Sequence, residues 1–135
     1  MTVMRYLLDT DTCIGCLRLE EKPLARLAAS FPGDLAVSAV TYSELLVGAH
    51  QVRQPQKERE KIAAFLAPIE ILPFGKEEAI HHAAMLADAR EKGRMPGPHD
   101  LLIAATAAAH DLIVVTGNTK HFAMIEHLRF ENWLR

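Results

Sequence analysis

The segment DLLIAATAAAHDLIVVTGN, residues 100–118, decides the fold because it joins a very apolar helix to a short apolar strand. Residues 101–109 hold only apolar side chains and one threonine, while Leu-Ile-Val-Val-Thr at residues 112–116 is typical of a strand buried on both faces. Similar strands are predicted at residues 5–8, 35–38, 69–74 and 128–133. Strands that alternate with helices predict an α/β fold, with a mostly parallel sheet and helices on both faces.

The helices between these strands are predicted from apolar periodicity and from capping residues. Thr41, followed by Glu44 three residues later, matches the capping-box pattern and predicts a helix that starts at Thr41. In the longest helix, one face carries apolar residues at helical spacing, namely Ile80, Ala83, Ala84 and Ala87. The full set of predicted helices covers residues 12–19, 23–29, 41–52, 55–66, 76–92, 101–109 and 121–125.

Length and charge exclude several classes of protein. The 135 residues predict a single domain, residues 1–135, that is long enough to bury a core. A formal net charge of −2 means that an anionic substrate must be held by a local patch or by metal ions. Asp9 and Asp11 interrupt the apolar N-terminal stretch, which argues against a signal peptide. The most apolar window is far shorter than the roughly 20 residues of a membrane span, so we expect a soluble, cytoplasmic protein.

The two cysteines, Cys13 and Cys16, form a C-x-x-C pair that leaves two interpretations open. The spacing is found in redox motifs and in zinc sites, but a zinc site usually needs four ligands and the chain has no second cysteine pair. The alternative is that both cysteines are small apolar residues near the start of a helix.

Polar side chains follow several of the predicted strands, where ligands bind in an open parallel sheet. Asp9 follows the first strand, Glu44 lies early in the helix after the second, and Asn118 follows the strand at residues 112–116. A Gly/Pro loop delivers Asp100 to the head of the apolar helix. Each residue could simply cap a helix or form a turn. Three carboxylates at one edge would repel unless a cation neutralised them, and oxygen ligands favour Mg²⁺ or Mn²⁺.

The tetrapeptide DTDT, residues 9–12, matches the D-x-D-x-T signature of haloacid-dehalogenase-like phosphatases, in which the first aspartate is a nucleophile. That family needs a lysine and an acidic pair later in the chain. After Asn118 this chain has Lys120 but only the scattered Glu126 and Glu131. The phosphatase interpretation is therefore a minor alternative.

Four segments together resemble a PIN-domain ribonuclease, specifically a VapC-like toxin of bacterial toxin–antitoxin pairs. They stand in the order of that family and cover nearly the whole chain: YLLDTDTCI from residue 6, VSAVTYSELLVGA from residue 37, GPHDLLIAATAAAHDLIVVTGNTKHF from residue 97 and LRFENW from residue 128. The resemblance implies an endoribonuclease that depends on Mg²⁺ or Mn²⁺ and cleaves RNA with metal-activated water.

The resemblance also implies roles for individual residues. Asp9 and Asp100 would be the main metal ligands, Glu44 would complete the site, and Asn118 lies near a fourth polar position that is often aspartate. Asp11 would add negative charge or cap the helix. Thr10 and Thr116 would orient ligands or water, or serve only as strand-end hydroxyls.

The implied partners are an RNA substrate, either transfer RNA or ribosomal RNA, a cognate antitoxin, and a second copy of the chain. Phosphate contacts are predicted around the Gly/Pro loop, at Arg90, Lys92, Arg94 and His99. A metal role for His121 is not expected beside so many carboxylates. The competing class is a PIN-fold protein that binds RNA or protein without cutting, and the neutral Asn118 is the one residue that favours it.

Overall fold

The computed structural model describes residues 4–135 and contains a five-stranded sheet in the order β3-β2-β1-β4-β5. All four strand pairings are parallel, which confirms the predicted α/β class. The strands are β1 (Tyr6–Leu8), β2 (Leu35–Ser38), β3 (Glu70–Leu72), β4 (Ile113–Val115) and β5 (Phe130–Glu131). The helices are α1 (Thr10–Leu17), α2 (Glu21–Ala28), α3 (Ala39–His50), α4 (Pro55–Leu66), α5 (Lys76–Lys92), α6 (Pro98–Ala109) and α7 (Thr119–Phe122), with one 3₁₀ turn at Pro32–Asp34.

Two apolar cores cover the two faces of the sheet, which explains why its central strands are almost entirely apolar. Alternate residues of β1 serve opposite faces, so that Leu7 enters one core and Leu8 the other. Helices α5, α6 and α7 contribute to the Leu7 core, and α1, α3 and α4 to the Leu8 core. Trp133 is buried in the Leu8 core. In residues 4–135 no helix is both long enough and apolar enough to cross a membrane.

Helix α3 begins earlier than the sequence predicts, which corrects the capping box proposed at Thr41. The N-cap is Ser38, whose hydroxyl accepts a hydrogen bond from the backbone N–H of Thr41 at 3.0 Å, and the helix begins at Ala39. Serine caps a helix well because its oxygen satisfies a backbone N–H that has no partner within the helix. Glu44 therefore lies in the second turn, and its carboxylate is not used for capping.

The edge strands are shorter than predicted. Only Glu70–Leu72 of the predicted strand 69–74 pairs with the sheet, and Pro73, which has no N–H to donate, follows directly. Only Phe130–Glu131 of residues 128–133 is paired. Helices α1, α2 and α6 each begin two or three residues before their predicted starts, because Asp9, Glu20 and Gly97 occupy the N-cap positions.

The apolar face of α5 does not enter the core. Ile80 is 55% exposed, and Ala83, Ala84 and Ala87 are also exposed. The side of α5 that meets α6 instead carries Met85, Leu86 and the buried Ala89. Helical spacing alone predicted the helix correctly, Lys76–Lys92, but not which face it buries.

Replacement of Glu78 by alanine is expected to weaken the join between α5 and α6. The buried Glu78 carboxylate accepts a hydrogen bond from the Gly75 N–H at 2.8 Å and contacts His110, at the end of α6, at 2.8 Å. We expect the variant to lose about 1–3 kcal/mol of unfolding free energy in urea denaturation, whereas Glu77→Ala, in the same turn but exposed, should lose far less.

The Gly75 N–H and, to a smaller extent, His110 hold the pKa of Glu78 below its ordinary value of 4.5. A carboxyl whose pKa is lower in the folded chain contributes stability above the unfolded value, and this contribution disappears as the pH falls through the folded value. The difference between wild type and Glu78→Ala should therefore shrink in acid. A constant difference across pH 3 to 7 would contradict this account.

Candidate active site

The candidate site lies at the carboxyl ends of β1 and β4, where the first turns of α1 and α6 also begin. Asp9 directly follows β1 and is the N-cap of α1, and Asp100 lies in the first turn of α6. Asn118 precedes α7, just beyond β4. The parallel pairing of β1 with β4 brings these residues to one edge of the sheet, as the sequence predicts.

Asp9 is the most buried carboxylate of the site, with only 5% of the residue exposed. One carboxylate oxygen accepts a hydrogen bond from the Thr10 N–H at 2.7 Å, and the other accepts from the Thr116 hydroxyl at 2.8 Å. Burial, together with the nearby charges of Asp11 and Asp100, raises the pKa of Asp9 to about 7 despite these two hydrogen bonds. The site therefore holds more negative charge than its protein donors compensate.

Thr116→Val is expected to destabilise the fold, because valine has the shape of threonine but no hydroxyl. The fully buried Thr116 hydroxyl donates to Asp9 and accepts from the Asn118 N–H at 2.9 Å. Its loss leaves a buried carboxylate oxygen without a donor, and we expect a fall of about 1–3 kcal/mol in unfolding free energy, measured by urea denaturation.

Thr106→Val is the matched control for Thr116→Val. The buried Thr106 hydroxyl donates at 2.9 Å to the Leu102 carbonyl one helical turn earlier, so its removal exposes no unpaired charge. Equal losses in the two variants would show that the hydroxyl of Thr116 does not support Asp9.

Asp11 points into the site and does not cap α1, which decides between the two roles left open for it. One of its oxygens accepts from the Gly117 N–H at 2.9 Å, and the other is buried with no hydrogen-bond partner. Burial is the main cause of a raised pKa for Asp11, and the charge of Asp100 adds to it. A buried carboxylate oxygen without a partner is costly, and it marks a place where a cation would be stabilised.

Glu44 reaches the site from α3. One of its oxygens accepts from the Thr10 hydroxyl at 2.8 Å, and the other contacts His99 Nδ1 at 3.2 Å. Thr10 thus links the N-terminus of α1 to Glu44. Of the four predicted phosphate contacts, His99 is the one that touches a site carboxylate.

The other three predicted phosphate contacts lie around the Gly/Pro loop. Arg90 and Arg94 are exposed, as a phosphate contact requires. The Lys92 ammonium contacts Asp88 at 3.1 Å and also contacts Glu126, so its charge is already partly compensated.

His121 is a residue that sequence reasoning set aside and that the structure places in the site. Its Nδ1 lies 2.6 Å from Asp100 Oδ2 and 2.8 Å from Asn118 Nδ2. The available signal was its spacing, because His121 follows Asn118 by three residues and both therefore lie on one side of the turn that opens α7.

The donor set suits a hard divalent cation. The charges of Asp11 and Asp100 raise the pKa of Asp9, the charge of Asp100 raises that of Asp11, and one buried oxygen of Asp11 has no partner. The carboxylates offer oxygen atoms, which hard divalent cations prefer. As they stand, no three His, Cys, Asp or Glu side chains among residues 4–135 form a cluster that could hold an ion. Their oxygens accept hydrogen bonds from protein donors such as Thr10 and Thr116.

The C-x-x-C pair does not take part in the site. Cys13 and Cys16 are buried free thiols, and Cys13 belongs to the Leu8 core. Burial raises the pKa of both thiols, that of Cys16 to about 11, which opposes the thiolate needed for redox chemistry. The apolar interpretation of the pair is the one that the structure supports.

The fold, the carboxylates at the edge of the sheet and the sequence together identify the protein family. The chain belongs to the PIN domain family, whose model matches residues 6–128. The tRNA(fMet)-specific endonuclease VapC of Salmonella typhimurium is 29% identical over 131 residues, covering 97% of this chain and 99% of the relative. Ribonuclease VapC1 of Rickettsia felis is 34% identical over 129 residues, covering 93% of each chain. The structure of DNA-bound VapBC from Salmonella typhimurium matches with a TM-score of 0.92 at 30% identity, over 97% of this chain and 99% of that one.

Proposed function

We propose that this chain is a divalent-metal-dependent endoribonuclease and the toxin of a toxin–antitoxin pair, folded as a single domain over residues 1–135. The observation that carries the proposal is the group of three aspartates at the end of the central strands, Asp9, Asp11 and Asp100. Like charge raises the pKa of Asp9 and of Asp11, and one buried oxygen of Asp11 has no partner. Relatives that match over nearly their full length are named ribonucleases, which supports RNA as the substrate.

In the proposed site, Asp9 and Asp100 hold the cation, Mg²⁺ or Mn²⁺, and Glu44 completes the ligand set. A bound divalent cation supplies an activated water and neutralises charge on the phosphate that is attacked. The Thr116 hydroxyl fixes Asp9 and the Thr10 hydroxyl fixes Glu44, so the two carboxylates are held by separate donors. The attacking group is water, so the chain needs no nucleophile of its own.

Asn118 has a supporting role in this proposal. Its side-chain amide lies 3.3 Å from Asp100 Oδ2, and its backbone N–H donates to the hydroxyl of Thr116. Asn118 therefore contacts Asp100 directly and also contacts Thr116, the residue that donates to Asp9. Being neutral, it orients Asp100 without adding to the repulsion. This is also the residue on which the alternative of a non-catalytic RNA- or protein-binding module rests, because aspartate at this position would add a ligand charge.

The partners proposed for the chain are RNA, an antitoxin and a second copy of itself, in the cytoplasm. Exposed Arg90 and Arg94, together with His99 and Lys92, would contact RNA phosphates around the Gly/Pro loop. The exposed apolar face of α5, with Ile80 at its centre, is suited to contact a second copy. The similarity of this chain to solved VapBC toxin–antitoxin complexes supports an antitoxin partner.

The test is RNA cleavage by purified protein that has been freed of any bound antitoxin. A mixed transfer and ribosomal RNA pool, with initiator tRNA included because one relative is named for it, is incubated with Mg²⁺, Mn²⁺ or EDTA. Discrete cuts are expected only with metal, and they should vanish in Asp100→Asn.

Asp111→Asn is the control, because Asp111 is exposed outside the site and has a left-handed backbone that asparagine tolerates. Cuts that persist in EDTA or in Asp100→Asn would contradict the proposal. Folded protein that binds metal and RNA but does not cut would support the non-catalytic alternative.

A further inference from the structure

The side chains of Asp100, Asn118 and His121 lie within hydrogen-bonding distance of one another at the edge of the site. His121 Nδ1 lies 2.6 Å from Asp100 Oδ2 and 2.8 Å from Asn118 Nδ2, and the last two atoms are 3.3 Å apart. Asp100 in turn is close enough to Asp9 and Asp11 to raise the pKa of both. The imidazole nitrogen is therefore part of the same polar cluster as the carboxylates.

The three groups have only the single hydrogen or lone pair of Nδ1 to share between two close neighbours. If Nδ1 carries a hydrogen, it donates to Asp100 but faces the N–H group of Asn118. If Nδ1 carries none, it accepts from Asn118 but turns a lone pair toward a carboxylate oxygen at 2.6 Å. Turning the Asn118 amide over places its oxygen 3.3 Å from the oxygen of Asp100, so that both oxygens must share the one hydrogen of Nδ1.

A cation between these groups removes this competition, because lone pairs on all three can then point at it. Ligands of a six-coordinate ion with bonds of about 2.1 Å are spaced about 3 Å apart, and the three distances in this cluster lie around that value. With the amide turned over, the cluster offers a carboxylate oxygen, an imidazole nitrogen and an amide oxygen.

We infer that His121 supplies a nitrogen donor beside Asp100 to the divalent-cation site, and that this donor makes the site prefer Mn²⁺ to Mg²⁺. The inference rests on the function proposed above, because it concerns the same site. Mg²⁺ is bound almost entirely by oxygen, whereas imidazole suits first-row transition metals. His121 has 43% of its side chain exposed, so its ring has room to adjust to the ion.

The test is pulsed electron paramagnetic resonance of Mn²⁺ bound to the full chain, which detects a directly bonded nitrogen without any RNA. We expect nitrogen coupling in the wild type, with the frequency change that ¹⁵N requires when histidine is labelled with ¹⁵N. His121→Phe should lose the coupling. His99→Phe is the matched control, because His99 is the other histidine in contact with a site carboxylate, and it should keep the coupling.

Competition between the two metals gives a second readout. His121→Glu replaces the nitrogen donor by oxygen, so the preference for Mn²⁺ over Mg²⁺ should fall about tenfold in calorimetric titrations, while an ion still binds. Nitrogen coupling in the labelled wild type that persists in His99→Phe assigns the donor to His121, because in the described part of the chain these are the two histidines in contact with site carboxylates. The inference therefore stays testable if His121→Phe does not fold.

Bound Mn²⁺ without nitrogen coupling in the wild type would overturn the role of His121 and leave the proposed nuclease intact. Coupling that persists in His121→Phe, or an unchanged metal preference in His121→Glu, would overturn it as well. If neither ion binds the wild type more tightly than it binds Asp100→Asn, both the inference and the metal site of the proposed function fail.

Discussion

Asp9→Asn is expected to stabilise the metal-free protein and at the same time to abolish RNA cleavage. Asp9 is almost fully buried, and burial together with the charges of Asp11 and Asp100 raises its pKa from 3.8 to about 7. A carboxyl with a raised pKa costs the fold stability as the pH rises from the unfolded to the folded value, and the whole cost is present above pH 7. Asparagine is an equally good N-cap, so the variant removes the charge and retains the cap.

Thermal unfolding at pH 8 in EDTA measures the first half of this prediction. We expect a gain of about 2 kcal/mol in unfolding free energy, a value below the full effect of the pKa shift because the side chain relaxes. Cleavage of RNA with Mg²⁺ should fall by at least about 100-fold, since the site loses a ligand and a charge. Asp111→Asn should change neither quantity appreciably. An Asp9→Asn protein less stable than the wild type in EDTA would show that repulsion does not dominate at this site.

Removal of divalent cations is expected to have the second large effect. EDTA should abolish cleavage, and added Mg²⁺ or Mn²⁺ should restore it, because the carboxylates alone provide no activated water. The same ions should raise the melting temperature of the wild type, since an ion at 100 times its dissociation constant stabilises the fold by about 2.7 kcal/mol.

Scanning calorimetry with and without metal tests the stability half of this second prediction. Asp100→Asn should show little or no metal-dependent shift, because it removes one of the two main proposed ligands. A shift of equal size in the wild type and in Asp100→Asn would place the ion elsewhere on the chain.

The core of the fold follows from sequence patterns that physical rules interpret directly. The strand Ile113–Val115 and the four buried residues of Leu35–Ser38 are apolar or nearly so because both faces of the sheet are covered. A parallel sheet then brings the residues after β1 and β4 to one edge, which is why Asp9, Asp100 and Asn118 could be grouped from sequence.

The errors arise where a local pattern competes with a tertiary contact. Thr41 and Glu44 fit a capping box, but Ser38 caps the helix first and Glu44 is held by Thr10 from another helix. The apolar face of α5 was found by periodicity, yet α6 packs on a neighbouring face and leaves Ile80 exposed.

His121 was missed for a similar reason. Carboxylates are the expected ligands of a hard cation, so the sequence alone predicts no metal-binding role for a histidine among them. Its importance depends on the turn from Asn118 into α7, which brings it to within hydrogen-bonding distance of Asp100, a residue on another helix. A contact of this kind is not encoded in the local sequence.

The central claim is that water, activated at the sheet-edge carboxylates, attacks the RNA phosphate. The most direct measurement is the chemistry of the product ends after cleavage of a defined RNA with Mg²⁺. Attack by water leaves a phosphate monoester on one fragment and a hydroxyl on the other, without a 2′,3′-cyclic phosphate, and this is the result we predict. Fragments that end in a cyclic phosphate would show that the 2′-hydroxyl of the RNA is the nucleophile, and would contradict the account.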